Sequence, residues 1–593
     1  MLQLQGIPVS PGIAIGKASV FHSEGRQVTV SYCTAETAPD ELAHLSEAVK
    51  IASRDIQESR DSVAGSVGGQ YGAIFDGHLV MLRDQKLFDT MQDAILKEHF
   101  SAEYAVHKTL HSYAQVFQSI QDPFMAERAN DILDLEKRIL RVLQKEKRQI
   151  QQFTEPVVLL ARNFTPSETV AMNTDFVQAF ATEVGGPSSH TAIVAEALRI
   201  PAVVGIGSFI DKVEDGCLAI VDGSAGVIVL DPDEATLERY VRLQAEKQTL
   251  GSKLATLREL PAVTLDGSEI QLLGNIEFPN EAEACVEAGA DGIGLYRTEF
   301  LYLGGDVPTE EEHFQAYRHV LETMGDKPVT IRTVDLGADK MVDALSATVN
   351  GKQQKIGYCL DEDEKNPALG LRSIRLSLKR TELFTKQLRA ILRAGKYGNV
   401  QVMFPLVSTI AEWRQAKMIL EDVKEDLYDR DIDFAENIPV GMMIEVPSSV
   451  LMIDRFANEC DFLSVGTNDL TQYTLAVDRT NKDVVYLYNS TDPVILRLLD
   501  ITIRASNRAR KPVSVCGRMS SDPRCAMLLL GLGLRKFSVS PAALPEVKNV
   551  IRKVNIAQCR EIAKRALLME SAAEVNHYIW REHAKLFPEL SDF

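Results

Sequence analysis

The chain has 593 residues, with 83 acidic side chains against 64 Lys and Arg and a formal net charge of −19. This length exceeds what one hydrophobic core serves, so several domains are expected and a small binding module is unlikely. The charge argues against broad binding of nucleic acid or anionic membrane, so an anionic substrate must meet arginines gathered in one place. Apolar residues make up 45% and charged residues 25%, as in soluble globular proteins, and no apolar run reaches the ~18 residues of a membrane span. The start, "MLQLQGIPVSPGIAIGKASV", has no charged leader followed by a continuous apolar core, so no secretory signal is read. Eight cysteines lie scattered without CxxC pairs, which fits reduced thiols in a cytoplasmic protein.

Residues 1 to about 30 alternate apolar positions with Gly and Pro and read as short strands. Leu42, Leu45, Val49, Ala52 and Ile56, then Val106, Leu110, Tyr113 and Phe117, fall at helical spacing. Residues 36–147 are therefore expected to form a bundle, with helices near 38–63, 70–97, 101–120 and 123–147. From Glu155 the β-rich runs "PVVLLA", "FVQAFAT", "PAVVGI", "CLAIVD" and "GVIVLD" indicate a compact α/β domain. Residues 1–35 and 148–232 together make that domain, and the bundle is an insertion into it. Residues 233–261 are charged, helix-favouring and closed by Pro261, as a helical linker would be.

In 262–593 eight short apolar runs each precede a turn and a helical stretch: 270–275, 292–297, 329–335, 400–405, 439–445, 461–466, 512–517 and 536–541. Eight strand–helix units suggest a (β/α)8 barrel with its chemistry at the C-terminal strand ends, and a doubly wound open sheet is the alternative. Arg297 ends the second run, Arg332 follows within the third, Glu445 ends the fifth, Asn468 and Asp469 follow the sixth, and Cys516 lies at the end of the seventh. Two carboxylates suit a hard cation such as Mg²⁺, and arginines hold phosphate and carboxylate in bidentate fashion. Taken singly, the arginines serve equally well as structural ion pairs, the acids as helix caps and the thiol as a small hydrophobe. Together at successive strand ends they read as a metal-assisted site for a small anion.

His190, in "EVGGPSSHTAIVAEALRIPAVVG", poses the same choice between ordinary loop residue and working group. The Gly185–Gly186 turn permits close approach, and a helix beginning near Ser188 would direct its N-terminal dipole toward an anion. A neutral imidazole there suits nucleophilic attack on phosphorus, with Ser188, Ser189 and Thr191 as donors to a phosphoryl group.

"GGPSSHTAIVAEALRIPAVVG" is similar to the phosphohistidine motif of the phosphoenolpyruvate-utilising enzymes. "DGIGLYRTEFLYL", "IRTVDLGADK", "NPALGLRSIR", "MIEVPSS" and "LSVGTNDLTQYTLAVDR" resemble, in order and spacing, the Enzyme I branch of that family, over nearly the whole chain. The resemblance implies a swivelling phosphohistidine domain, a bundle that docks the phosphocarrier HPr, and a barrel that binds phosphoenolpyruvate with Mg²⁺ and forms a homodimer. It implies that His190 accepts the phosphoryl group and passes it to a histidine of HPr. Arg297, Arg332, Arg372, Asn468 and Arg479 would bind the substrate, Glu445 and Asp469 the metal, and Cys516 would protonate the enolate to pyruvate. A thiol with an ordinary pKa of ~8.5 is mostly protonated at neutral pH. Thr165 is a candidate to orient His190, and His78, Leu79, Met81, Leu82 and Arg128 are carrier-docking candidates, although helical core packing explains Leu and Met equally well.

Four features depart from the pattern: Pro187 and Glu196 stand where arginines are expected, "RMSS" (518–521) follows Cys516–Gly517 where "ELAG" is usual, and 341–365 is an insertion. They leave open a diverged regulatory homologue, or one acting on another carrier. A phosphoenolpyruvate synthase or pyruvate phosphate dikinase is disfavoured, since both carry an additional nucleotide-binding domain for which the chain has no room.

Overall fold

The apolar runs flanking the bundle form one mixed sheet, with strands β1 (Leu2–Gln5), β2 (Ile7–Ser10), β3 (Ile13–Phe21), β4 (Val157–Ala161), β5 (Val177–Thr182), β6 (Ala202–Val204), β7 (Leu218–Asp222) and β8 (Val227–Leu230). Their order is β1-β8-β7-β3-β4-β5-β6-β2. β3 pairs in parallel with β4 from Lys17↔Val157 to Phe21↔Ala161, and adjacent parallel strands require a crossover. Here the chain between them carries the helices of the bundle. The computed structural model describes residues 1–21, 28–66, 77–119, 123–144, 155–164, 176–186, 195, 200–302, 307–337, 348–349, 352–353, 366–479, 481 and 483–587. The chain divides into units Met1–Leu250 and Gly251–Phe593.

In the bundle, α1 (Ala38–Ser66), α2 (Gln85–Leu96), α3 (Ala102–Ser119) and α4 (Pro123–Leu143) bury the predicted apolar stripe, including Leu45, Ala52, Ile56, Val106 and Leu110. The single helix expected over 70–97 is interrupted. Residues 77–82 are helical, and Asp84, extended at φ −67° and ψ 112°, begins α2 by accepting hydrogen bonds from the Lys86 and Leu87 amides. Apolar periodicity ran through this break because an N-cap changes the backbone direction without demanding a change of hydrophobic pattern. Helix α5 (Glu234–Ala255) realises the charged segment that precedes Pro261.

In the second unit every one of the eight apolar runs is a strand: β9 (Gln271–Ile276), β10 (Ile293–Tyr296), β11 (Val329–Arg332), β14 (Val400–Phe404), β15 (Val440–Ile444), β16 (Phe462–Val465), β17 (Val513–Val515) and β18 (Lys536–Val539). Between β11 and β14, the pairs β12 (Thr348–Val349) and β13 (Lys352–Gln353) form a short antiparallel ladder. β18 pairs with β9 from Lys536↔Gln271 to Val539↔Gly274, so the sheet closes into a parallel barrel and the open-sheet alternative falls away.

Helices cover the barrel, and their apolar faces share one core with the strands' outer faces. Trp413 packs edge-on against Phe404 of β14, which packs in turn against Phe384, at centroid separations of 5.8 and 5.7 Å. Capping boxes at Thr309–Glu312 and Thr409–Glu412 start two of these helices. Inside, Leu295, Met403, Met443 and Cys516 form a small apolar plug beneath the rim. Among the described residues, no helix is long and apolar enough to cross a membrane.

The cap at Asp84 yields a local prediction. Asp84→Ala should destabilise α2 by about 1 kcal/mol and speed amide exchange at Lys86 and Leu87, while the α4 amides keep their protection. Unchanged exchange at those two amides would show that the cap is not what starts the helix.

Candidate active site

The C-terminal strand ends bring together groups drawn from 277 to 516. Arg332, the last residue of β11, is buried between two acids: Nη2 lies 3.1 Å from Glu299 Oε1 and Nη1 lies 2.8 Å from Asp335 Oδ2. Its Nη1 also approaches Met443 Sδ at 3.8 Å. Asp335 uses its second oxygen for Arg372 Nη2 at 3.1 Å and for the Ser373 hydroxyl. Burial opposes the Arg332 charge, but Glu299, Asp335, Glu445 and Asp469 outweigh that cost and hold the guanidinium protonated. Arg372 is likewise raised against its burial, chiefly by Asp335. Burial works against the Asp335 carboxylate as well, yet Arg332, Arg372 and Ser373 depress its pKa. Its contribution to stability is therefore present above the ordinary carboxylate range and is lost as pH falls through the depressed folded value.

Glu445 follows β15 and is 1% exposed. Its Oε1 accepts from the Leu406 amide at 2.6 Å, while the buried Oε2 has no hydrogen-bond partner. Burial first, then the neighbouring Asp335 and Asp469 carboxylates, push its pKa up, partly offset by Arg332. A Cβ on Gly466 would come within 2.7 Å of that free oxygen, so glycine there keeps the space beside it open.

Asn468 and Asp469 lie in the first turn of the helix Thr467–Leu475, which begins just past β16. The Oδ1 of Asp469 is buried without a hydrogen bond, although Arg479 Nη1 stands 3.4 Å away in an ion pair. The geometry is that of charge attraction without directional bonding. Asn468 Oδ1 accepts from the Arg518 amide at 3.0 Å, which orients the side-chain amide nitrogen as the donor. Arg297, just past β10, is half-buried and pairs with Glu277. Arg297, Arg332, Arg372 and Arg479 thus each have a protein carboxylate partner, with which an entering anion must exchange.

Cys516 is buried just past β17, with Sγ donating weakly to the Val465 carbonyl at 3.5 Å. Burial raises its pKa to about 11, with Ser464 acting in the lowering direction and Glu445 in the raising one. Its carbonyl accepts from Asn275 Nδ2 at 3.0 Å, which ties the seventh strand end to the first. Asp335, Glu299 and Asn275 were not assigned from sequence. For Asp335 and Glu299 the available signal was an acid two or three residues after a rim arginine, in "RTEF" and "RTVD".

Matches to three models of the phosphoenolpyruvate-utilising enzymes accord with this site: the N-terminal region over 5–128, the mobile domain over 153–226 and the PEP-binding domain over 252–556. The phosphoenolpyruvate-protein phosphotransferase of Priestia megaterium is 39% identical over 579 residues, covering 97% of this chain and 98% of that protein. The chain belongs to the phosphoenolpyruvate-utilising enzyme family. The phosphotransferases of Geobacillus stearothermophilus, 39% identical over 98% of both chains, and Bacillus subtilis, 37% identical over 98% of this chain and 99% of that one, carry the same name. A solved structure described as the NMR solution structure of Enzyme I is 35% identical, covers 41% of this chain and 99% of that one, and has a TM-score of 0.35.

The segment expected to carry a phosphohistidine connects β5 to β6. His190 itself, with Pro187, Thr165 and Glu196, lies outside the described residues. The approach to it is well anchored: Glu183 Oε1 accepts from the Phe209 and Ile210 amides at 2.7 and 2.8 Å. Gly185 has φ 133°, a conformation that favours glycine.

Two departures from the family pattern find structural roles. "RMSS" forms a short helix whose first amide orients Asn468, and Ser520 Oγ donates to the Gly517 and Ser538 carbonyls at 2.7 and 2.6 Å. The insertion 341–365 contains the β12–β13 ladder, with Thr348 opposite Gln353 and Val349 opposite Lys352.

The proposed docking patch needs correction. His78, Leu79 and Leu82 are buried in the bundle and Met81 is partly so, because they occupy the inward stripe of their helix. His78 sits between Asp131 and Asp134, at 3.4 and 3.7 Å. The exposed member of that stretch is Val80, at 68%. Arg128 belongs to α4, but its side chain lies outside the described residues.

Removing one partner of a buried ion network leaves an uncompensated charge and costs about 3–5 kcal/mol. Asp335→Ala should therefore destabilise the second unit by that amount, read by urea unfolding through Trp413 and Trp580, the only two tryptophans of the chain. A loss below about 1 kcal/mol, the range of a surface pair, would show that Asp335 does not organise the arginines.

Proposed function

We propose that the protein transfers the phosphoryl group of phosphoenolpyruvate to His190 and then to a histidine of a small phosphocarrier of the HPr type, releasing pyruvate. The observation that carries this reading is the rim itself. Paired arginines, two buried carboxylate oxygens without hydrogen-bond partners and a protonated thiol stand together in a chain whose relatives are named phosphoenolpyruvate-protein phosphotransferases.

Arg332, Arg372, Arg297 and Arg479 supply four guanidinium groups for a substrate that carries a phosphate and a carboxylate. Glu445 Oε2 and Asp469 Oδ1 are a hard-oxygen donor pair that fits Mg²⁺, with substrate oxygens and water completing its shell. A Mg²⁺ ion held by these two carboxylates would supply charge neutralisation for the phosphoryl group. Arg479, paired with Asp469 Oδ1 at 3.4 Å, stands beside this donor pair, where it would face the substrate.

The imidazole nitrogen of His190 attacks phosphorus, the bridging P–O bond breaks, and the electron pair leaves with the enolate of pyruvate. Cys516 then gives its S–H proton to the methylene carbon of the enolate, and the thiolate recovers a proton from water. A pKa near 11 keeps the thiol loaded at neutral pH, and Leu295, Met403 and Met443 pack with it as a small apolar plug that disfavours the thiolate.

Docking of the carrier on the bundle is part of the proposal, with the exposed helix faces rather than the buried His78–Leu82 stripe as its surface. A cytoplasmic setting is supported by the seven described cysteines, all free. Dimerisation through the barrel is supported by Leu451, Met452, Val494 and Ile501, large apolar side chains exposed on or beside mutually packed helices.

Incubation with ³²P-labelled phosphoenolpyruvate and Mg²⁺ should place acid-labile, base-stable label on the wild type and none on His190→Ala. An unlabelled wild type would exclude the enzyme and favour a regulatory homologue. Pyruvate release should depend on the carrier protein and be indifferent to nucleotide. Cys516→Ala should lower pyruvate formation by about 10²-fold or more, as loss of a general acid does. Because Glu445 is raised, Mg²⁺ must displace a proton from the site. Calorimetry in buffers of different ionisation enthalpy should show net proton release on binding and affinity that rises with pH; binding without proton release would contradict an uncharged Glu445 in the metal-free site.

A further inference from the structure

A second cluster of metal-ligating side chains lies in the bundle, away from the barrel rim. His107 and His111 stand one turn apart on α3, and Glu136 comes from α4. One ligand atom from each lies within 4.8 Å of the others. The two imidazole rings are 5.2 Å apart between centroids and 32° from coplanar. Glu136 is 7% exposed. Its Oε1 meets His107 Nδ1 at 2.6 Å, while its buried Oε2 has no hydrogen-bond partner. His107 is partly buried and His111 is exposed, so the cluster opens to solvent at one side.

An ion pair between His107 and Glu136 accounts for only one of the two carboxylate oxygens and gives His111 no role. A metal ion accounts for all three residues. Two imidazoles and a carboxylate are the ligand set of Zn²⁺ and neighbouring late first-row dications, whereas Mg²⁺ and Ca²⁺ prefer oxygen alone. The i, i+4 spacing places both rings on one helix face, as in helical zinc sites. Three protein ligands leave a fourth position for water. The neighbouring His78–Asp131–Asp134–Arg138 cluster is enclosed in the bundle core and offers no such opening.

We infer that His107, His111 and Glu136 form a site for a Zn²⁺-type divalent metal that pins α3 to α4. On binding, the proton held between His107 and Glu136 passes to water and the freed nitrogen and oxygen become ligands.

Co²⁺ is a suitable visible probe for the full-length protein in millimolar Mg²⁺, which occupies the all-oxygen site. One equivalent should give the strong d–d absorption of a four-coordinate ion, removed by Zn²⁺. His111→Ala, at an exposed position, should weaken Co²⁺ binding at least tenfold with the far-UV circular dichroism unchanged, and Glu136→Gln should do the same. Absence of a Mg²⁺-insensitive band, or equal affinity in His111→Ala, would overturn the assignment.

Discussion

Closure of the parallel sheet between β18 and β9 is the constraint on which the rim depends. Without that ladder the first and last strand ends would be the two edges of an open sheet. With it, Asn275 after the start of the barrel reaches the carbonyls of Cys516 and Ser538 near its end. The strands supply little chemistry themselves; their inward residues fill the interior, and reactive groups are left where each chain turns outward. Helix caps and the Trp413–Phe404–Phe384 stack hold the outer layer against the strands.

The rim is assembled from paired charges. Asp335 joins Arg332 to Arg372, Glu299 braces Arg332 from the other side, and Asp469 meets Arg479. Isolated, Arg332 or Arg372 would be costly to bury; with their carboxylates both stay charged. The same pairing means that an anion gains the arginines only by displacing or sharing existing partners. Glu445, in no ion pair of its own among the described residues, is left with an unused oxygen and is the natural acceptor of positive charge.

The first unit obeys a different logic. Two adjacent parallel strands, β3 and β4, need a long connection, and the bundle occupies it without disturbing their register. Polar groups inside that bundle, including His78, Asp131, Asp134 and Arg138, are tied to one another in its core. Glu136 differs in having one oxygen outside any such pairing, next to two imidazoles that reach the surface.

Much of this was written in local pattern. Eight apolar runs became the eight barrel strands, and Arg332, Glu445, Asp469 and Cys516 stood at their ends, because strand periodicity and the position of a residue after a strand are properties of a few neighbours along the chain. The break at Asp84 escaped because apolar spacing continues across a cap. The burial of Leu79 and Leu82 escaped because the same stripe serves equally well as a core or as a docking face. Composition, the succession of strands and helices along the chain and the motif around His190 were thus legible in the amino-acid sequence alone. Barrel closure, the sharing of Asp335 by two arginines, the unpaired oxygen of Glu445, the Asp469–Arg479 ion pair, and the meeting of His107, His111 and Glu136 were decided only by tertiary structure. Each of these depends on distances between groups that are remote in the chain or on different elements, and no local spacing encodes them.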